Sequence, residues 1–191
     1  MKKLSRKFFE RSTVKVAKDL IGMVLVFGYK KAVITETEAY FGDDPASHGA
    51  RGITARNFPM FGPAGYTYVY FIYGMYFCLN ITTENEGFPA AVLIRGVKMM
   101  DTEKHFDGPG KLCIALGITK KQNNIDLCES DVFYVADFGI KLRVKNTPRI
   151  GIKKNVHKKW RFVAEEGIGT KQAFMRQKKT PYSGGLLCKS L

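Results

Sequence analysis

The chain has 191 residues, enough for one domain with a sizeable core. Hydrophobic residues make up 45% of it, which excludes a disordered polypeptide, and no apolar stretch approaches membrane-spanning length. Lys and Arg number 31 against 17 Asp and Glu, a formal charge of +14, which points to a polyanionic partner gripped through its phosphates.

In chain order, Ser12 reads as an N-cap, followed by Val14, Ala17, Leu20 and Ile21 at helical spacing and by Gly22 as a stop. Residues 23–27 and 32–40 read as two strands of a hairpin turning at 28–31. Residues 41–66 form a long aperiodic segment, of a length that compact domains rarely carry without a function. Then comes YVYFIYGMYFCLN (68–80), with six aromatics in ten residues: Tyr68, Tyr70, Phe71, Tyr73, Tyr76 and Phe77. It predicts two strands joined at Gly74-Met75 by a two-residue type II′ turn, with Tyr73 and Met75 at the tip. Such aromatic strands usually serve as core, and Phe71 is expected there. On so basic a chain, however, a tip aromatic is also a candidate wedge for nucleic acid. Residues 90–97 read as an apolar strand carrying Arg95, 111–116 as a short helix after Gly108-Pro109-Gly110, and 132–135, 141–144, 149–152 and 161–163 as further strands. Strands linked by short turns argue for an α+β fold: a single domain with a curved, mostly antiparallel sheet, flanking helices and a protruding β-hairpin. The domain is expected to span residues 1–166, with 167–191 a basic C-terminal tail.

The two-residue period of the strand 32–40 puts Ile34, Glu36, Glu38 and Tyr40 on one face. Two carboxylates so close repel each other, so one needs a cation or a chemical task. Arg95 is the candidate cation, although an ordinary salt bridge is the commoner outcome. Tyr40, His48 and Tyr70 would sandwich a planar base if the fold brings them together. Cys78, Cys113, Cys128 and Cys188 form no Cys-x-x-Cys pair and the three His are scattered, so no zinc site can be read from them. Free thiols, and a start without a secretory pattern, suit an intracellular protein: cytoplasmic or nucleoid-associated in a bacterium, nuclear in a eukaryote.

The strings ETEAY (36–40), DPASH (44–48), ARNFPMFGPAG (55–65), YVYFIYGMYFCLN (68–80), VLIRG (92–96), GPGKLCIALGI (108–118) and PRIGI (148–152) occur in this order. Together they resemble the alkyladenine (3-methyladenine) DNA glycosylase family, from about residue 8 to residue 163. The resemblance implies a monomeric, cofactor-independent, monofunctional enzyme that flips damaged purines out of duplex DNA and hydrolyses their N-glycosidic bond. The lesions implied are of the 3-methyladenine, hypoxanthine and ethenoadenine class, and the work is the first step of base excision repair. Carried over by position, Glu38 matches the general base, Arg95 the arginine beside the attacking water, and Ile150 the residue whose backbone carbonyl is that water's third partner. Tyr40, Ala46, His48 and Tyr70 match the base pocket, and Asn80 the side chain that rejects guanine's amino group. Tyr73 and Met75 match the intercalating tip, and Arg51, Thr54, Arg56 and Lys111 the contacts to the DNA backbone. Where the family tends to have Arg-Gly-Arg-Thr-Pro-Arg-Asn, this chain has Ile53 and Ala55 in place of the second Arg and the Pro, a change expected to weaken one phosphate contact. The competing expectation is a non-enzymatic nucleic-acid binder that stacks bases on the same hairpin and is indifferent to Glu38.

Overall fold

A computed structural model describes residues 1–165, so the tail expected at 167–191 lies outside the described residues. The elements run β1 (Lys2–Lys3), α1 (Arg6–Phe9), α2 (Thr13–Asp19), β2 (Val24–Phe27), β3 (Lys30–Phe41), β4 (Thr67–Ile72), β5 (Tyr76–Thr82), β6 (Ala90–Met99), β7 (His105–Asp107), α3 (Pro109–Leu116), β8 (Phe133–Asp137), β9 (Val144–Thr147) and β10 (Arg161–Ala164). Every strand pair among the described residues is antiparallel, and the main path through the sheet is β1-β8-β2-β3-β6-β5-β4. The α+β expectation therefore holds, with local differences. The strand expected at 149–152 is an irregular segment, and the one expected at 141–144 lies later, at Val144–Thr147.

β3 is the axis. Along one side it pairs with β6; along the other it pairs with β2 over residues 30–33 and then with β10 over residues 36–38. β6 likewise changes partner, from β5 at residues 91–93 to β7 at residues 96–98. Both changes occur at one place, where the β3–β6 register slips twice: Ile34 faces Val97, Glu36 faces Gly96, and Thr37 faces Ile94. Thr35 and Arg95 are the two extra residues. A bulge on each strand restores the overall register while reversing which residues face which side. Hence Ala32 and Ile34 before the bulge, and Ala39 after it, all belong to the main hydrophobic core. Glu36, Glu38 and Tyr40 consequently do not share a face with Ile34, because the expectation of one uninterrupted period missed the bulge. Gly96 is needed here: a Cβ on it would stand 2.9 Å from both the Glu36 Cβ and the Thr35 Oγ1.

The core lies on the face covered by α1, α2 and α3, where Phe9, Val16, Leu20, Leu112 and Leu116 meet Ile34, Val69, Leu79, Ile81, Val92 and Ile94. α2 starts at Ser12 as expected, but the Ser12 side chain makes no capping bond; Glu84 instead accepts from the Thr13 amide at 2.8 Å and from its hydroxyl. The alternate residues of β3 to β6 (Glu38, Tyr40, Tyr68, Tyr70, Cys78, Asn80, Leu93) face the other way.

Candidate active site

On that second face a cleft of about 520 Å³ opens. Its walls include Tyr40, Ala46, His48, Tyr70, Asn80, Arg95 and Ile150, with Tyr73 and Lys111 at its margins. The expected pocket residues thus converge from four strands, the 44–48 loop and the 148–152 segment. Among the described residues, no cluster of three His, Cys, Asp or Glu side chains could hold a metal ion.

Glu38 lies behind this surface, 0% exposed. Its Oε1 accepts from the Ile150 amide at 2.7 Å and its Oε2 from the Tyr40 hydroxyl at 2.8 Å. Burial pushes its pKa above the ordinary carboxylate value; the Arg95 charge and the two hydrogen bonds pull it part of the way back. The Ile150 carbonyl is the group expected to meet the attacking water; the N–H of the same residue is what meets the carboxylate. The Arg95 Nε lies 3.5 Å from Glu38 Oε1, but its closer partner is Glu36, at 2.9 Å. Glu36 Oε1 also accepts from the Arg161 Nε at 2.6 Å, and the Arg161 Nη1 donates to Thr147 Oγ1. The two carboxylates therefore have distinct surroundings: Glu36 is neutralised by two guanidinium groups, and Glu38 is the dry one. Arg161 was not expected from sequence. Its pairing crosses 125 positions, and no local pattern could have signalled it.

The three aromatic walls do not form a parallel stack. His48 and Tyr70 meet edge to face, with centroids 4.7 Å apart and planes at 70°. His48 Nδ1 lies 3.0 Å from the Tyr68 hydroxyl, and its backbone carbonyl accepts from the Asn57 side chain at 2.7 Å. Burial first, then the nearby Arg56, lowers the His48 pKa and favours the neutral ring. Burial raises the tyrosine hydroxyls as well, Tyr68 to about 12, so they remain protonated donors. The Asn80 side-chain N–H donates to the Tyr68 carbonyl at 2.9 Å, which fixes its amide across the β4–β5 ladder.

β4 and β5 are joined through Tyr73, Gly74 and Met75, with the Met75 amide donating to the Ile72 carbonyl. The central residues of that turn are Tyr73 (φ 53°) and Gly74 (φ 68°). Both are positive, the type I′ pattern, so the expected type II′ turn at Gly74-Met75 is replaced by one shifted a residue earlier. Tyr73 is 82% exposed and Met75 63%. Phe71, expected in the core, is 49% exposed and packs on Phe77, with ring centroids 5.0 Å apart. Next to the tip, Tyr76 rests on α3 so closely that a Cβ on Gly110 would stand 2.8 Å from its ring.

The residues expected to meet a DNA backbone differ in their present engagements. Arg51 is exposed. Arg56 donates to the Phe71 carbonyl at 3.2 Å and lies over the Tyr70 ring. Lys111 is paired with Asp107 at 2.8 Å. Thr54 bonds Asn57 Oδ1 through both its amide and its hydroxyl, so it shapes the loop.

Comparison with known proteins matches residues 7–167 to the family described as methylpurine-DNA glycosylase (MPG). A Rickettsia felis protein is 55% identical over 167 residues, covering 86% of this chain and 94% of its own length. Proteins of Sodalis glossinidius and of a Wolbachia from Brugia malayi are 56% and 55% identical, each over 83% of this chain and 95% of its own length. All three are provisionally named 3-methyladenine DNA glycosylases.

Proposed function

The chain belongs to the methylpurine-DNA glycosylase family, a family of DNA glycosylases that act in DNA repair, and we propose that it extrudes alkylated and deaminated purines from duplex DNA into the cleft and hydrolyses their N-glycosidic bond with Glu38 as general base. The observation that carries this reading is the dry carboxylate itself. Glu38 lies under an aromatic cleft and is held by Tyr40, Ile150 and Arg95, on a chain of charge +14.

The chemistry follows from that placement. As the C1′–N bond breaks, the purine leaves with the bonding electrons and the sugar becomes oxocarbenium-like. The Glu38 carboxylate stabilises that positive charge and takes a proton from water, whose oxygen bonds C1′; such help is worth about 10²–10⁴-fold. A purine that is already cationic, such as 3-methyladenine, departs neutral and needs no added proton, whereas hypoxanthine and ethenoadenine leave more reluctantly. Arg95, oriented by Glu36, and the Ile150 backbone complete the water's surroundings. Tyr40, Ala46, His48 and Tyr70 receive the base, and Asn80, its amide fixed by Tyr68, excludes guanine at the exocyclic amino group. Extrusion costs a few kcal/mol. Tyr73 and Met75, exposed at the hairpin tip, fill the gap left in the stack, while Arg51, Thr54, Arg56 and Lys111 hold the phosphates. The protein acts as a monomer, within the cell, where damaged chromosomal DNA lies.

The test is a base-release assay on duplexes carrying 3-methyladenine, hypoxanthine or ethenoadenine, at two salt concentrations. Abasic sites should accumulate with the parent chain, and Glu38→Gln should bind the same duplexes without turnover. Full activity of Glu38→Gln, or binding without base release by the parent, would overturn the reading and favour a stacking module.

A further inference from the structure

Directly behind the cleft lies a buried cation with no part in the reaction as described. The Arg149 side chain is fully buried, with its Nη1 2.6 Å from the Asp44 carboxylate, itself buried. The same nitrogen donates to the Ala39 carbonyl at 2.9 Å. The guanidinium carbon lies 4.6 Å from the Tyr40 ring centroid and 5.1 Å from that of Trp160. Its Nε and Nη2 have no hydrogen-bond acceptor among the described residues. Asp44 accepts from the Asn155 side chain at 2.7 Å and from the Ala46 amide at 3.4 Å. One ion pair therefore joins β3, the 44–48 loop, the 148–152 segment and the stretch 155–160.

A pair this dry gains little stability over well-packed apolar side chains, because desolvating both charges offsets their attraction. What the arrangement does secure is relative position. Among the described residues, the segment 148–152 makes two hydrogen bonds: Arg149 Nη1 to the Ala39 carbonyl and the Ile150 amide to Glu38 Oε1. Consecutive residues of an otherwise irregular segment thus pin consecutive residues of the catalytic strand. We propose that Arg149, paired with Asp44, is a positioning residue that keeps the Ile150 amide on Glu38 and ties the 44–48 wall of the base pocket to the same strand. Arginine suits the task because its broad, weakly hydrated group lies over two aromatic rings while one of its nitrogens meets both the carboxylate and the carbonyl; lysine offers one compact, strongly hydrated ammonium.

The proposal rests on the reading of Glu38 as the base, and its test is chosen to stand apart from that reading. Arg149→Lys and Asp44→Asn are made in the full chain. The Glu38 carboxyl is titrated by ¹³C NMR without DNA, and kcat and KM are measured for base release. The other charged or titratable groups around Glu38 are Glu36 and Tyr40 on β3, Arg95 on β6 and, through Glu36, Arg161 on β10, and both substitutions leave them in place. With the amide loosened, the ionised carboxyl loses a donor, so the Glu38 midpoint should move up in Arg149→Lys, which keeps the local charge; in Asp44→Asn the unneutralised guanidinium opposes that rise, and the loss of kcat is the readout. At neutral pH kcat should fall by about ten- to a hundredfold, more than KM rises as the 44–48 wall loosens. If Arg149→Lys does not fold, Asp44→Asn decides, since its carbonyl oxygen can still accept from Asn155 and Ala46. A folded variant with the parent's Glu38 midpoint and kcat would overturn the proposal. A parent that releases no base would remove the glycosylase reading, and the DNA-free titration would still decide the role of Arg149.

Discussion

In its proposed role as general base, Glu38 combines two properties that pull against each other. A general base must be ionised, and a fully buried carboxyl resists ionisation. The acid limb of the kcat profile should therefore lie above the ordinary glutamate value. Tyr40→Phe removes a hydroxyl that donates to the ionised form, so it should move that limb further up; a pH–rate series on both proteins checks this. The same shift has a consequence for folding. Between the ordinary value and the raised one, the folded chain holds a proton that the unfolded chain has released. Stability contributed at this site is therefore present below the ordinary value and lost as pH rises through the raised one. At neutral pH the buried anion is a liability to the fold. Glu38→Gln should thus be inactive yet melt higher, by about 2–4 °C for each kcal/mol relieved at this chain size. Calorimetry decides it: a lower melting temperature would mean that Arg95 and the Ile150 amide outweigh the cost of burial.

At the scale of elements, the β4–β5 hairpin carries strain at its tip. Tyr73 holds a positive φ, which costs a non-glycine residue about 1–2 kcal/mol, and its ring gains little burial in return. Tyr73→Gly should therefore leave stability unchanged or raise it by about 1 kcal/mol while impairing base release from duplex DNA. Denaturant melts and the release assay together separate a wedge from a core residue, since loss of a core tyrosine would unfold the domain. The paired bulges of β3 and β6 make a second case. Gly96→Ala drives a Cβ into Glu36 and Thr35 and should cost about 1–3 kcal/mol, with activity falling as Glu36 releases Arg95. Both elements also mark the limit of what residue patterns convey. Most of the longer strands, the tip residues and the shared face of Glu38 and Tyr40 were legible in two-residue alternation and turn chemistry, whereas the strand expected at 149–152 was not found and the one expected at 141–144 lies at Val144–Thr147. The turn shifted by one residue because Tyr73, against its preference, took the left-handed position. The bulges were invisible because they appear only when both strands are seen in register.

For the whole molecule, charge and topology govern. A net charge of +14 predicts DNA affinity that falls linearly on a log–log scale with salt. Ile53 is exposed in the loop that carries Arg51 and Arg56, so Ile53→Arg should steepen that slope by about 0.9 if it adds one phosphate contact. Fluorescence anisotropy across a salt series measures it, and an unchanged slope would place residue 53 away from the DNA. The motifs announced the pocket because its members cluster in short strings. Arg161, Arg149 and Asp44 stayed hidden because their partners lie about a hundred positions away, on a strand or in irregular segments whose adjacency only the folded chain reveals. The double slip between β3 and β6 has one more consequence. It acts as a phase joint: the half-sheet bearing the cleft and the half-sheet of β1, β2 and β8 alternate out of step, each on its own clock. Losing Thr35 alone would leave β3 alternating without a break, Ile34 and Ala39 still inward and Glu38 still outward, but it would strand Arg95 as an unmatched extra residue on β6, so the bulge on each strand exists to accommodate the one on the other.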